Sequence, residues 1–132
     1  MSLGTGLQEA VQSLADELAE AISSRDVAGA SRHVREDGHV VFVSGGTVIR
    51  GTEYREALAR FYATRSQLKF EWERHEVRGI GSRVAVLTGW AKIHAVDQAG
   101  TVSDTRAIVT LVFAQDGFGG WELVTVHKTT VS

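Results

Sequence analysis

Of the five histidines in this chain of 132 residues, His127 is the one best placed to move a proton. It follows Trp121, Leu123 and Thr125 at every second position of a segment with strand composition, so strict alternation turns its imidazole to the apolar, inward side. An imidazole in such a place titrates near neutrality and can serve as general acid or base. No strand carboxylate is positioned to orient it. The structural reading, a core histidine bonded to Thr125, Thr129 or a group of the first helix, therefore stands beside the catalytic one.

Other groups carry weaker signals. Trp72 and Trp90 can stack on a planar ligand, although large aromatics on strands commonly fill a core. Lys92 and His94 lie near a strand end, where they read as solvated or as the rim of a pocket. Arg106 can clamp a carboxylate if it faces inward; Asp104 on its own face makes a surface ion pair the simpler account. Glu71, Glu73 and His75 alternate and on that spacing share one face, with donors enough for a divalent ion, but a mixed solvated face is the simpler meaning. His33 and His39 fall on other elements, so no metal-ligand grouping is expected.

Cysteine is absent, which removes disulfides, a thiolate nucleophile and zinc thiolates. The glycines at Gly79, Gly81, Gly117, Gly119 and Gly120 read as turns; none leads from a strand into a helix start, so no phosphate cradle is indicated. No serine elbow is present. Neither cofactor nor metal is expected.

These groups need a frame. Leu7, Val11, Leu14, Leu18 and Ile22 step by three and four, with Gln8, Glu9, Asp16, Glu17 and Glu20 on the other side, so a first amphipathic helix runs from about Leu7 to Ser23. Met1 to Gly4 do not continue that pattern. Asp26 is placed to cap a short second helix carrying Val27, Ala30 and Val34. His39 to Ser44 reads as a strand, Gly45-Gly46 as a turn and Thr47 to Arg50 as the return strand. Thr52 then caps a third helix, whose buried face is expected to hold Tyr54, Ala57, Leu58 and Phe61. Four longer strands follow, at about 67–80, 83–96, 102–115 and 121–131, joined by hairpin sequences. The order α-α-β-β-α-β-β-β-β makes this an α+β chain: one domain with an ordered core at about 7–131 and an antiparallel sheet of about six strands.

Composition limits the partners. A net charge of −2 with both signs interspersed leaves no basic stripe for nucleic acid and no polybasic patch for a membrane. No segment reaches the roughly 18 apolar residues of a spanning helix. With no secretory pattern at its start, the chain is read as cytoplasmic.

Two stretches resemble a known family: Val40-Val-Phe-Val-Ser-Gly-Gly-Thr-Val-Ile-Arg-Gly51, leading into the third helix, and the closing Gly120-Trp-Glu-Leu-Val-Thr-Val-His-Lys-Thr-Thr-Val131. With the element order, they are similar to the SnoaL-like and ketosteroid-isomerase-like branch of the nuclear transport factor 2-like superfamily. The resemblance covers nearly the whole chain. It implies a cystatin-like conical barrel in which a curved sheet wraps three N-terminal helices round a pocket, and a homodimer through the outer sheet face. On the second of the four long segments, Arg83 to Val96, the small row Ala85, Leu87, Gly89, Ala91 and Ile93 is expected to meet the partner. The row Val84, Val86, Thr88, Trp90, Lys92 and His94 is expected to line the pocket.

In ketosteroid isomerases a first-strand carboxylate, a helix-one tyrosine and a later protonated acid do the chemistry. The resemblance lays Phe42, Leu18 and Val109 on those positions, all apolar, so true ketosteroid isomerase activity is not expected. A small-molecule-binding protein is expected instead, taking a small apolar or aromatic molecule. Its pocket would hold Phe42, Phe61, Thr88, Trp90, Val109, Thr125 and Thr129. Two alternatives stand: a cofactor-independent cyclase, isomerase or dehydratase with His127 as proton carrier, and a homo-oligomeric interaction domain with a vestigial pocket.

Overall fold

The structure, a computed structural model, describes residues 3–131. Helix α1 spans Leu3–Ser23, α2 Val27–Ser31 and α3 Tyr54–Ala63; the strands are β1 Val41–Ser44, β2 Thr47–Arg50, β3 Arg65–Ile80, β4 Val84–Asp97, β5 Val102–Gln115 and β6 Trp121–Thr130. The order is the expected one. Helix α1 starts at Leu3, earlier than the apolar stripe.

The strands form a single sheet in the order β2-β1-β6-β5-β4-β3. It is mixed rather than antiparallel throughout: β1 and β6 pair in parallel, Phe42 opposite Val126 and Ser44 opposite Lys128. Helix α3 and β3 to β5 carry the chain out to the far edge and back, so β6 arrives beside β1 running the same way.

Local chemistry fixes the entry to this sheet. Gly45 and Gly46 both take positive φ, 56° and 82°, which opens the tight β1–β2 turn to residues without a Cβ. A 3-10 turn, Gly51–Glu53, precedes α3, and its cap differs from the expected Thr52: the Glu53 carboxylate accepts a bond from the Arg50 amide at 3.2 Å. The Asp26 side chain makes no cap bond before α2, where its backbone carbonyl accepts from Ala30 at 2.9 Å.

Helix α1 lies along β3 and buries Val11 and Ala15 completely. Small side chains let the helix axis come close to the strands. The Trp72 indole N–H donates to the Ala15 carbonyl at 2.9 Å and so ties helix to sheet. The same close approach explains the small row of β4. Ala85, Leu87, Gly89 and Ala91 are buried under the helix and under Trp72, not turned to a partner as expected. Val84, Val86, Thr88, Trp90, Lys92 and His94 form the outer row, which reverses the two faces expected of this strand.

Two β-bulges decide what else points where. In β3 the pairing passes from Trp72–Ala91 to Arg74–Trp90, leaving Glu73 as an extra residue. In β6 it passes from Leu123–Phe113 to Thr125–Val112, leaving Val124 extra. Each insertion shifts the side-chain period by one and so exchanges the faces for the rest of the strand.

Candidate functional site

The β6 bulge turns His127 outward. Beyond it, Val126 opposes buried Leu111 and Lys128 opposes buried Val109, while Thr125, His127 and Thr129 oppose Val112, Thr110 and Ile108 on the outer face. His127 is exposed there, and Lys128 takes the inward place that strict alternation gave to the histidine. Thr88 and Trp90 are also on the outer face, where the Arg74 guanidinium sits 3.9 Å above the Trp90 ring. Phe61 lies on the solvent side of α3, 40% exposed beneath the Arg65 guanidinium at 4.5 Å. Of the residues expected to line the pocket, the structure brings together Phe42 and Val109 on the inner face.

The β3 bulge likewise separates His75 from Glu71 and Glu73. His75 turns in against α1, edge-on to Trp72 at 5.9 Å and with Nε2 3.6 Å from Asp16. Glu73 stays outside and pairs with Arg106 at 3.3 Å, and Asp104 pairs instead with His94 at 2.7 Å. Among the described residues no group of three metal-binding side chains gathers.

The inner wall is therefore built from other residues. Phe42 stacks on Tyr54 of α3, ring centroids 4.3 Å apart. Tyr54, Leu58 and Tyr62 follow at i, i+4 and i+8, one stripe of α3 facing the sheet. Tyr62 packs with Leu68 and Ala95, flanked by Ile22, Val27, Leu58 and Ile93. Leu18, at the position the isomerases give to a tyrosine, borders a recess of about 20 Å³ with Leu14, Phe113 and Leu123, room for about one water. A larger recess of about 380 Å³ lies on the outer face among Lys69, Glu71, Lys92, His94, Asp104 and Arg106; its ion pairs are half exposed.

Three inner groups are electrostatically unusual. Burial raises the Tyr62 phenol from 10.0 to about 12, with the Asp26 charge adding to the effect. Burial raises Tyr54 further, and Tyr62 beside it contributes. Lys128 is lowered from its ordinary 10.5, first by desolvation and then by repulsion from Arg65. The Tyr62 hydroxyl is sealed from solvent without a hydrogen-bond partner. Tyr54 stands on the buried face of α3 that the sequence indicates, Tyr62 lies one position beyond the expected Phe61, and Lys128 is hidden because strict alternation does not survive the β6 bulge. The neighbouring apolar pair Leu123-Val124 was the available sign of a break in phase.

A family model described as a SnoaL-like domain matches residues 11–130. A search of curated proteins finds no match. Solved structures are similar throughout their length. A nuclear transport factor 2-like superfamily protein from Salmonella enterica serovar Typhimurium has TM-score 0.87 at 17% identity, covering 98% of this chain and 94% of that one. A proposed dehydratase of the same family from Streptomyces avermitilis has TM-score 0.80 at 21% identity, covering 94% and 96%. A proposed calcium/calmodulin-dependent protein kinase II association domain from Xanthomonas campestris has TM-score 0.76 at 20% identity, covering 92% and 85%. At these identities the likeness is one of fold.

Proposed function

Because the chain belongs to the SnoaL-like domain family and has the cone fold of the nuclear transport factor 2-like superfamily, we propose that it binds a small apolar or aromatic molecule at the open end of the cone. One observation carries this reading. Lys128 leaves β6 on the inner face beside Val109 and Ser44, the face on which Phe42 is buried, and takes part in none of the described ion pairs. Sites of this kind fix a ligand by shape and a few polar contacts. The interior lacks the paired acid and base of ketosteroid isomerases, since Phe42 and Val109 stand in their places, and with His127 on the outer face the isomerase, cyclase and dehydratase readings lose their proton carrier. The cytoplasmic setting expected from the sequence belongs to the same reading.

The test is calorimetric titration of the whole protein with naphthalene and anthraquinone derivatives. Saturable binding that disappears in Ser44→Trp, where a bulky ring enters the mouth from the end of β1, supports it. Affinity unchanged in that variant, with its circular dichroism intact, overturns it.

A second reading has its own support. The outer face carries Val86, Trp90, Ile108 and Val112 among threonines, with Ile108 37% exposed, a surface suited to a homodimer. Assembly through it is compatible with ligand binding within.

A further inference from the structure

The tip of the β5–β6 hairpin holds an aromatic ring in water. Phe118 is 100% exposed, yet the backbone on either side of it is fixed. Asp116 Oδ1 accepts from the Phe118 amide at 2.7 Å and from the Gly120 amide at 3.0 Å, while the Asp116 amide donates to the Gly120 carbonyl at 2.7 Å. The Gln115 side chain donates to the Gly119 carbonyl at 3.1 Å, and Gly119 itself takes a φ of 88° that closes the loop. A ring carried on a fixed backbone loses little freedom when a partner covers it, which suits it to anchor a contact.

Beside this loop lies a cleft of about 460 Å³ between α1, the exit of α2 and the start of β6. Ala10, Leu14, Val34 and Trp121 supply its apolar lining. Its acids are already engaged. Glu122 accepts from Arg35 at 3.0 Å and Asp116 holds the loop, while His33 bonds to Glu17 at 3.2 Å. Arg32, which also lines the cleft, is exposed and keeps its guanidinium hydrated. With these charges occupied the cleft selects no ion, and the surface it leaves to be covered fits a neutral aromatic group.

Phe118 does not fill the cleft of its own chain, being fully exposed, although Asp116 and Gly120 on either side of it belong to the cleft's lining. Ring and cleft thus adjoin on one surface. A single twofold axis between them sets each ring into the other copy's cleft at the same time, the self-complementary arrangement of an isologous contact. We propose that two copies of this chain associate by this reciprocal insertion of Phe118, at a surface separate from the outer face of the sheet. Two aromatic side chains remove roughly 300–500 Å² from water. A stable complex buries about 1,200–2,000 Å². The association is therefore weak and depends on concentration.

The experiment is sedimentation equilibrium of the whole protein from about 10 μM to about 1 mM. Every sample carries Ile108→Lys, which puts a charge on the outer face. The mean mass is expected to rise with concentration, and Phe118→Ser, at a side chain that lies wholly in water in the single copy, should weaken that association about tenfold or more. Ala10→Tyr fills the cleft and leaves Phe118 in place; with its circular dichroism intact, it should have the same effect. A mean mass that stays at one chain up to the highest concentration overturns the proposal, as does a rise unaffected by Phe118→Ser. A rise lost with Phe118→Ser but kept in Ala10→Tyr also overturns it, because the ring would then dock elsewhere.

Discussion

Trp72 lies so close over Gly89 that a Cβ on the glycine would overlap the indole, meeting Cε3 at 2.6 Å. The indole cannot move aside freely, because its N–H is held by the Ala15 carbonyl of α1. Gly89→Ala should therefore destabilise the protein by about 1–3 kcal/mol, the cost of overpacking a closed interior. Urea unfolding followed by circular dichroism measures it; a change below half a kilocalorie would show that the contact is loose.

The inward Lys128 gives stability a pH dependence with a definite sign. Its folded pKa is depressed, so at neutral pH the unfolded chain holds the proton more readily, and stability rises as pH climbs through the lowered value toward 10.5. Lys128→Met removes the desolvated ammonium. It should be at least as stable as the parent at pH 7 and should lack that rise, as denaturation curves across pH 7 to 10 would record.

Tyrosine ionisation works in the opposite direction. The protein has two tyrosines, and burial raises both. Their stabilisation is full below the ordinary value near 10 and is lost above it, as the unfolded chain ionises first and Tyr62 follows at about 12. Ultraviolet difference absorbance of the native protein should show almost no tyrosinate at pH 10.5. Titration of one full tyrosine near 10 would mean that the α3 stripe is open to water.

His127→Ala should change stability by less than about 0.5 kcal/mol and leave ligand affinity unaltered, because the side chain is exposed on the outer face. Calorimetry with the naphthalene probes checks the second half of this expectation. A loss of binding would place the imidazole in the site after all.

On the reading that two copies pair through the outer face, Ile108→Lys should sediment as monomers where the parent sediments as a dimer, since Ile108 lies beside Trp90 and Thr129 on that face. Ala91→Glu should unfold the protein instead, with a carboxylate forced under α1 at a position with no exposure. An Ile108→Lys protein that still sediments as a dimer would require another interface.

Element order and most boundaries were legible in the sequence. The stripe from Leu7 to Ile22 matches the core-facing side of α1, and β5 spans the expected 102–115. Orientation was less legible, for local reasons. Ala85 to Ala91 read as a flat partner face because the sequence does not say how closely α1 approaches; its line of Val11, Ala15 and Ala19 held that information. The structure buries Tyr62 where the sequence pattern of α3 favours Phe61, a rotation of about 100° that a ten-residue helix of low polarity contrast does not resolve. His75 and His127 each follow an extra residue in their strand and so take the face opposite to the one strict alternation assigns. Phe70 and Trp72 before one bulge and Val77 after it already differ in phase.

The single unpaired residue in β6 also bears on how such a cone changes its chemistry. Loss of Val124 would remove the bulge and restore unbroken alternation while every residue beyond it kept its partner on β5 and its face, His127 outside and Lys128 inside. Flattening the bulge with Val124 kept, by contrast, slips the rest of β6 by one residue against β5 and sets the imidazole in place of the ammonium opposite Val109, with no amino acid replaced. For families built on this fold, insertions and deletions in the last strand deserve the weight in comparing active sites that is usually given to substitutions.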